Sequence, residues 1–221
     1  MGVQVKICGI NSVESADAAV RAGADLAGLV FHPKSPRHLA PEQASSLAAR
    51  MRGKLRLVAM LVDPADEAIG AAIKAAQPDM IQLHGAETPA RVAAIRTRFG
   101  VPVLKVFTIA EPSDFAPVAA HEDAADMLMF DAKPPPGAAR EGGLGAAFDW
   151  QMLKGRRFKR PWLLAGGLNA DNVARAIRLT EAPGVDVSSG VESAPGGKSA
   201  DLIAKFTAAA KAARYATESR A

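Results

Sequence analysis

The sequence predicts an α/β protein, a single-domain (β/α)8 TIM barrel spanning residues 1–221. Eight short runs rich in Val, Ile and Leu recur along the chain. Successive runs begin 22 to 35 residues apart, close to the minimum for a strand, a turn, a helix and a second turn. The runs do not alternate polar with apolar residues, which indicates strands buried on both faces of a parallel sheet.

The eight predicted strands are Val3–Cys8, Asp25–Phe31, Leu55–Val62, Asp79–His84, Pro102–Phe107, Asp126–Asp131, Pro161–Ala165 and Val185–Ser188. Helical spacing of apolar residues separates them; the last helix, for example, places Leu202, Phe206, Ala209 and Ala213 on one face. An open, doubly wound sheet is the alternative architecture. It usually has fewer strands, and Gly9 alone follows the first strand where that fold often has Gly-x-Gly-x-x-Gly.

Helix-start residues agree with this scheme. Asn11 or Ser12 can cap the first helix, and Pro41 occupies the first position of the second helix. Asn169 can cap the helix after the seventh strand. Two strand-to-helix loops are long, 32–40 and 132–147. We expect the second, which is rich in Pro and Gly, to be a mobile lid rather than a domain linker, because only two strand–helix units follow it.

The composition excludes several classes of protein. With 49% hydrophobic and 23% charged residues, the 221-residue chain is typical of globular proteins and unlike disordered ones. A single cysteine excludes an intrachain disulfide and a cysteine-cluster zinc site, and favours a reducing compartment. Since only 5% of residues are aromatic, we expect an aliphatic core. No signal peptide or membrane-spanning run is visible, so a cytoplasmic protein is expected.

In a barrel of this kind, the active site lies where strands end and the following loops begin. The polar or small residues at those positions are Cys8, His84, Asp131, Gly166, Gly167, Ser188, Ser189 and Gly190, with Arg37 in the long loop after the second strand. The two glycines and the Ser-Ser-Gly segment follow strands seven and eight, the usual phosphate position in such barrels. Backbone amides there can approach an anion, so we expect a phosphate site; an ordinary tight turn is the alternative.

Three side chains among these residues have both structural and chemical interpretations. A lone cysteine is most often a small buried hydrophobe, but Lys6 lies on the same strand face as Cys8 and can stabilise a thiolate. Asp131 ends an apolar strand and is either a helix cap, a lysine partner or a catalytic acid. His84 either contacts a ligand or is a polar strand end.

Metal and nucleic-acid chemistry are not expected. The other histidines have no Cys, Asp or Glu at metal-ligand spacing, so no metal is inferred. The formal net charge is +4, and the basic clusters at 50–56 and 154–160 lie at predicted helix ends, where positive charge is favourable. They carry no interleaved aromatic residues, which argues against nucleic-acid binding.

The sequence resembles the phosphoribosylanthranilate isomerase family of tryptophan biosynthesis. Six segments, spread in order over nearly the whole chain, carry the resemblance: Lys6–Gly9, Val30–Arg37, Gln82–Gly85, Gly142–Trp150, Leu164–Asn169 and Val185–Glu192. Two positions depart from the pattern of that family. Leu144 replaces a threonine in Gly142–Gly145, and Ser199 follows Lys198 where an acidic residue is common.

The resemblance implies an Amadori rearrangement of N-(5-phosphoribosyl)anthranilate to 1-(2-carboxyphenylamino)-1-deoxyribulose 5-phosphate, with no metal or organic cofactor. Asp131 is implied as the general acid that opens the furanose ring, and Cys8 as the general base that takes the C2 proton. Arg37 is implied to pair with the anthranilate carboxylate. The remaining expected roles are substrate contact by Lys6 and His84, phosphate binding by Gly166, Gly167, Ser188, Ser189 and Gly190, and an active-site loop containing Gly143 and Gly145.

Two alternatives stay open. Another phosphosugar barrel enzyme is one, although the related histidine-pathway isomerase is expected to carry Asp at the end of strand one, and epimerases use metal-binding His and Asp. A non-catalytic phosphosugar-binding barrel is the other, which the presence of both Cys8 and Asp131 disfavours. We expect a monomer with a small-molecule phosphosugar–anthranilate substrate, because the sequence contains no long apolar surface stripe.

Overall fold

Eight parallel strands form a closed barrel in sequence order. The computed structural model describes residues 2–133 and 148–213. The barrel strands are β1 (Gln4–Cys8), β2 (Leu26–Val30), β3 (Arg56–Leu61), β4 (Met80–Leu83), β5 (Val103–Ile109), β6 (Met127–Ala132), β7 (Trp162–Leu164) and β8 (Gly184–Val187). Each lies within or overlaps a predicted run, so the TIM-barrel prediction is confirmed and the open-sheet alternative is wrong.

The barrel closes between its first and last strands. β1 pairs with β8 in parallel, and Lys6 is the direct partner of Asp186 in that register. On its other side β1 pairs with β2, where Cys8 is the partner of Gly28. The closure therefore brings the two ends of the sequence together around β1.

Seven α-helices cover the outside of the barrel in the described residues: α1 (Val13–Ala22), α2 (Pro41–Met51), α3 (Asp66–Ala76), α4 (Pro89–Phe99), α5 (Val118–His121), α6 (Val173–Thr180) and α7 (Ala200–Ala212). Ser12 caps α1 and Pro41 begins α2, as predicted. In the part of the chain that the structure describes, the fifth and sixth strand–helix units lack a full-length helix. There α5 has four residues, and Trp150–Leu153 forms a 3-10 turn. None of the described helices has the length and apolarity to cross a membrane.

Two helix predictions need correction. α6 begins at Val173, not directly after Asn169. The Asn169 side chain accepts hydrogen bonds from the backbone of Asp171 and Asn172 and so stabilises the preceding turn instead of capping the helix. The predicted face of α7 packs against the core, since Phe206 and Ala213 are buried and Leu202 and Ala209 are partly buried, but the prediction was too narrow, because Ile203, Thr207 and Ala210 are buried as well.

The core has two parts, which explains why the strands lack polar alternation. One cluster fills the barrel interior and consists of Leu26, Val58, Met80, Leu104, Val106, Met127, Met129, Leu163 and Ala165. A larger one lies between the strands and the helices. The aliphatic prediction holds for the interior but not for the outer face of β6, where Phe130 packs against Phe107, Phe115, Phe158 and Trp162. These rings cover the barrel where the repeat has only short helices.

Candidate active site

Several of the predicted site residues meet in one cavity at the carboxyl ends of the strands. Cys8 ends β1, His84 follows β4, Asp131 lies in β6 and Ser188 follows β8. With Arg37 from the β2–α2 connection they line a cavity of about 50 Å³. Asp186, which the sequence analysis gave no role, lines it too. A second cavity of about 700 Å³ adjoins the first at His84, which lines both.

Cys8 lies beside a buried ion pair. Lys6 Nζ donates a 2.7 Å hydrogen bond to Asp186 Oδ1, and the Lys6 side chain is fully buried. Burial lowers the pKa of Lys6, but the Asp186 carboxylate and Cys8 outweigh burial, so this pKa lies above its ordinary value. Burial raises the pKa of the Cys8 thiol, and the positive charge of Lys6 opposes that rise only in part. At neutral pH the thiol is therefore mainly protonated and the ammonium charged.

Gly28 makes room for this arrangement. A Cβ atom at Gly28 would lie 2.9 Å from Cys8 Sγ and 3.1 Å from Lys6 Nζ. Both polar groups thus approach the β2 backbone at a point where any other residue would displace them. Lys6 itself is not among the residues that line the cavity.

Asp131 and His84 form a second polar pair, and both are neutral over part of the physiological pH range. Burial and the negative charge of Asp186 raise the pKa of Asp131 from 3.8 to about 7. Burial and the positive charges of Lys105 and Lys6 lower the pKa of His84 from 6.5 to about 4. Asp131 Oδ1 accepts a 2.8 Å hydrogen bond from the Ala132 N–H, and Oδ2 lies 3.5 Å from His84 Nε2. His84 Nε2 is buried and has no hydrogen-bond partner in residues 2–133 and 148–213.

Arg37 is held by a carboxylate of the protein. Its Nε and Nη2 atoms donate to Glu192 Oε1 and Oε2, at 2.7 and 2.8 Å. Lys198 Nζ donates to the same Oε1 at 2.6 Å, and also to the backbone oxygen of Ser188 at 2.9 Å. Burial raises the pKa of Glu192, but Arg37 and Lys198 more than reverse this and bring it to about 2. Glu192 is therefore ionised at any working pH.

The loops after β7 and β8 expose backbone donors. Gly166 and Gly167 both have left-handed φ angles, 85° and 64°. Within the described part of the chain, their N–H groups donate to no acceptor. Ser189–Val191 forms a 3-10 turn, and a Cβ on Gly190 would lie 1.9 Å from the backbone oxygen of Leu168. The two loops are therefore in direct contact, as a shared anion site requires.

Sequence reasoning missed three residues of this region: Asp186, Glu192 and Lys198. A signal for Asp186 existed, because a closed barrel makes β1 and β8 neighbours and each has one charged residue in an apolar run. Glu192 and Lys198 belong to a short hairpin of β9 (Glu192–Ala194) and β10 (Gly197–Lys198) that no pattern predicted. The predicted loop residues Gly143 and Gly145 lie outside the described residues. No group of three or more His, Cys, Asp and Glu side chains in the described ranges is placed to hold a metal ion.

Comparison with known proteins decides the family. A family model described as N-(5'-phosphoribosyl)anthranilate isomerase matches residues 5–209. The chain belongs to this family. Its activity is the isomerisation of phosphoribosylanthranilate, an intramolecular isomerase reaction of tryptophan biosynthesis. The resemblance drawn from the six sequence segments is confirmed.

Relatives in the family match over nearly their whole length. The isomerase of Paracoccus denitrificans is 53% identical over 96% of this chain and 99% of its own, and that of Azorhizobium caulinodans is 50% identical over 98% and 95%. The crystal structure of the Thermotoga maritima isomerase has a TM-score of 0.85 at 34% identity, covering 95% of this chain and 99% of its own. A family structure in complex with reduced 1-(o-carboxyphenylamino)-1-deoxyribulose 5-phosphate has a TM-score of 0.82 at 32% identity, with the same coverage.

Proposed function

We propose that the isomerisation is an Amadori rearrangement, in which Asp131 is the general acid and Cys8 the general base. The observation that carries this assignment is that the two groups line one cavity, together with the guanidinium of Arg37. With a pKa of about 7, Asp131 still carries its proton in about half of the molecules at pH 7, and a buried thiol becomes a strong base once it ionises. His84 remains neutral above about pH 4, so it does not compete as a proton donor.

The reaction begins with ring opening. Asp131 donates its proton to the furanose ring oxygen while the bond from that oxygen to C1 breaks, and the nitrogen lone pair forms the C1=N double bond of a Schiff base. The thiolate of Cys8 then removes the C2 proton, and the C2–H electron pair moves to give an enolamine. Tautomerisation then gives the C2 ketone: C1 gains the proton that Cys8 took from C2, and the C2 hydroxyl loses a proton, which restores the proton that Asp131 donated. The whole sequence is redox-neutral, because the electrons only move from C2 to C1.

Only a minor fraction of the protein has both catalytic groups in the protonation states that the reaction needs. Catalysis needs neutral Asp131 and ionised Cys8, whereas the pKa of the acid is the lower of the two. Because burial raises the pKa of Cys8 above the ordinary value of a thiol, only a small fraction of it is ionised at pH 7. Lys6 increases that fraction, because its ammonium favours the thiolate. We propose that Lys6, expected from the sequence to contact substrate, acts mainly through Cys8.

The substrate is proposed to lie between two recognition sites. Arg37 pairs with the anthranilate carboxylate through a planar guanidinium, which suits a bidentate contact. The phosphate binds at Gly166, Gly167, Ser188, Ser189 and Gly190, where two backbone N–H groups are free to donate. His84 contacts the substrate through Nε2, the buried atom that otherwise has no partner in the described residues.

Two experiments test this proposal. Expression in a tryptophan auxotroph that lacks this step should restore growth, and purified protein should convert phosphoribosylanthranilate, seen as loss of anthranilate-type fluorescence. Cys8→Ser and Asp131→Asn should each lower kcat by roughly 10²–10⁴-fold, the usual contribution of a general acid or base. Normal turnover by either variant would refute the assigned role. Phosphate-ester binding without turnover by the intact protein would favour a non-catalytic barrel.

We further propose that the protein is a cytoplasmic monomer that binds no nucleic acid. Among the described residues, Val13 is the one large apolar side chain that is exposed, which leaves little surface for a stable dimer. In the two basic clusters, Arg52 donates to the carbonyls of Ala76 and Gln77, and Arg160 to that of Glu122. Light scattering at micromolar concentration should give the monomer mass, and a dimer mass would overturn this assignment.

A further inference from the structure

Glu192 lies between two cationic side chains, Arg37 and Lys198, and accepts hydrogen bonds from both. Its side chain is buried, and its two oxygens accept four hydrogen bonds in the described structure. Oε1 accepts from Arg37 Nε and Lys198 Nζ, and Oε2 accepts from Arg37 Nη2 and, at 3.1 Å, from the Gly196 N–H. A carboxylate offers about four lone-pair directions, so every acceptor position of Glu192 is used.

This contact leaves one side of the guanidinium free. Arg37 has five N–H donors, and Glu192 takes the one on Nε and one of the two on Nη2. Nη1 has no hydrogen-bond partner in the described residues. The remaining Nη1–Nη2 edge is a second planar pair of donors with the spacing of a carboxylate. Glu192 therefore does not compete for that edge, and it fixes the plane in which the edge lies.

The arrangement also holds the start of the proposed phosphate loop. Lys198 Nζ donates to Glu192 and to the backbone oxygen of Ser188, and it lies 3.3 Å from Ser188 Oγ. Since an ammonium can only donate, Ser188 Oγ accepts from it and keeps its own proton free for another acceptor. One buried carboxylate thus connects the carboxylate-binding arginine to the first serine of the phosphate loop.

We propose that Glu192 is a positioning residue for substrate specificity: it orients Arg37 so that its free edge receives the anthranilate carboxylate. This inference rests on the role given to Arg37 in the proposed function. It predicts a change in carboxylate affinity opposite to the one expected from charge alone. Removing a negative charge near an anion-binding site would strengthen anion binding by long-range electrostatics alone. If Glu192 instead orients Arg37, its removal weakens binding of the carboxylate.

The test compares two ligands that differ only in the carboxylate. One is reduced 1-(o-carboxyphenylamino)-1-deoxyribulose 5-phosphate, and the other is its phenylamino counterpart without the carboxyl group. The ratio of their dissociation constants isolates the carboxylate contact, because the phosphate contribution is common to both. Glu192→Gln should reduce the preference for the carboxylate ligand by about 10-fold or more, comparable to the loss of one charge-assisted hydrogen bond. KM for the substrate should rise more than kcat falls.

Matched variants separate positioning from a general loss of stability. Glu87 is a second buried carboxylate, paired with Lys105 at 2.6 Å, and Glu87→Gln should lower the melting temperature without changing the ligand ratio. Glu192→Asp keeps the charge but shortens the side chain, so it should fold and reduce the ratio by less than Glu192→Gln. If Glu192→Gln fails to fold, Glu192→Asp gives the decisive ratio.

The outcomes also distinguish this inference from the proposed function. If Arg37→Met removes the carboxylate preference but neither Glu192 variant reduces it, the positioning role of Glu192 is wrong and the role of Arg37 stands. If Arg37→Met leaves the preference intact, the role of Arg37 is wrong and the inference falls with it. A stronger carboxylate preference in Glu192→Gln would overturn the inference in favour of simple charge repulsion.

Discussion

Lys6 Nζ and Asp186 Oδ1 are 2.7 Å apart, although 180 residues separate them along the chain. They face each other because β1 and β8 are neighbours in the closed barrel. The pair holds a positive charge beside Cys8 and a negative charge that raises the pKa of Asp131. The same ion pair therefore acts on both proposed catalytic groups, and in opposite directions.

Lys6→Met should make Cys8 harder to ionise. The ammonium lowers the pKa of the thiol, so its removal raises that pKa further. Cys8 is the only cysteine in the sequence, so any alkylation of a thiol by iodoacetamide reports on Cys8. The midpoint of alkylation rate against pH should lie above that of an ordinary cysteine thiol in the parent protein and higher still in the variant. An unchanged midpoint would show that Lys6 does not act on the thiol.

The double variant Lys6→Met/Asp186→Asn is the folding control for that experiment. Lys6→Met alone leaves the Asp186 carboxylate unpaired in a buried position, which is strongly destabilising. The double variant removes both charges, so it should regain stability in a urea titration. It should still have low activity, because the stabilising charge beside Cys8 is absent.

The pH dependence of kcat/KM should follow the two proposed groups. Below pH 7 the rate rises with pH, because Asp131 stays protonated while the thiolate fraction increases. Between about pH 7 and the pKa of Cys8 the two ionisations cancel and the rate is level, and above it the rate falls as Asp131 continues to ionise. Steady-state kinetics from pH 5 to 10 checks this profile. An acidic limb near pH 4 instead of 7 would contradict the raised pKa of Asp131.

Asp131→Asn should gain stability relative to the parent protein as pH rises. The pKa of Asp131 is about 7 in the folded protein and about 3.8 in the unfolded chain. In the parent protein, protonated Asp131 therefore makes its full contribution to the free energy of unfolding below about pH 3.8. That contribution is lost as the pH rises through 7. The variant has no such loss, so its relative free energy of unfolding should increase by roughly 1–4 kcal/mol between pH 4 and pH 8. Urea unfolding at both pH values measures this, and a difference independent of pH would refute it.

Gly28→Ala should reduce activity while the fold is retained. The new methyl group would lie 2.9 Å from Cys8 Sγ and 3.1 Å from Lys6 Nζ, so both must move. A misplacement of this size is expected to lower kcat by about 10–100-fold. The control is Gly70→Ala in α3, where a Cβ atom meets open space and the helix should be stabilised by up to about 1 kcal/mol. Equal kcat values for the two variants would mean that close packing at Gly28 does not matter.

Gly190→Ala should weaken phosphate binding. Its Cβ atom would overlap the backbone oxygen of Leu168 at 1.9 Å, and relief of that overlap must separate the loops after β7 and β8. We expect KM and the inhibition constant of inorganic phosphate to rise together by about 10-fold or more. Gly197→Ala, in the same connection but with its nearest contact at 3.4 Å, is the comparison variant. Parallel behaviour of the two variants would argue against a phosphate site at these loops.

Local sequence predicted those features of this protein that depend on burial or on the position of strand ends. Strands buried on both faces need long apolar runs, so all eight were visible, as were Ser12 and Pro41 at helix starts. Parallel strands place their carboxyl ends on one side of a barrel, which predicts that Cys8, His84 and Asp131 converge. Local sequence decides helix boundaries less strictly. Asn169 has the residue type of a cap, yet its side chain closes a turn.

The tertiary structure alone decided which charges pair and which groups are neutral. The contacts of Lys6 with Asp186 and of Arg37 with Glu192 join residues 180 and 155 positions apart, and they exist because the barrel closes and the hairpin after β8 reaches the β2–α2 connection. The pKa values of Asp131 and His84 depend on burial and on charges from other strands, which no local pattern contains. The sequence by itself determined the barrel and the residues at its active face, while their protonation and orientation follow from long-range packing.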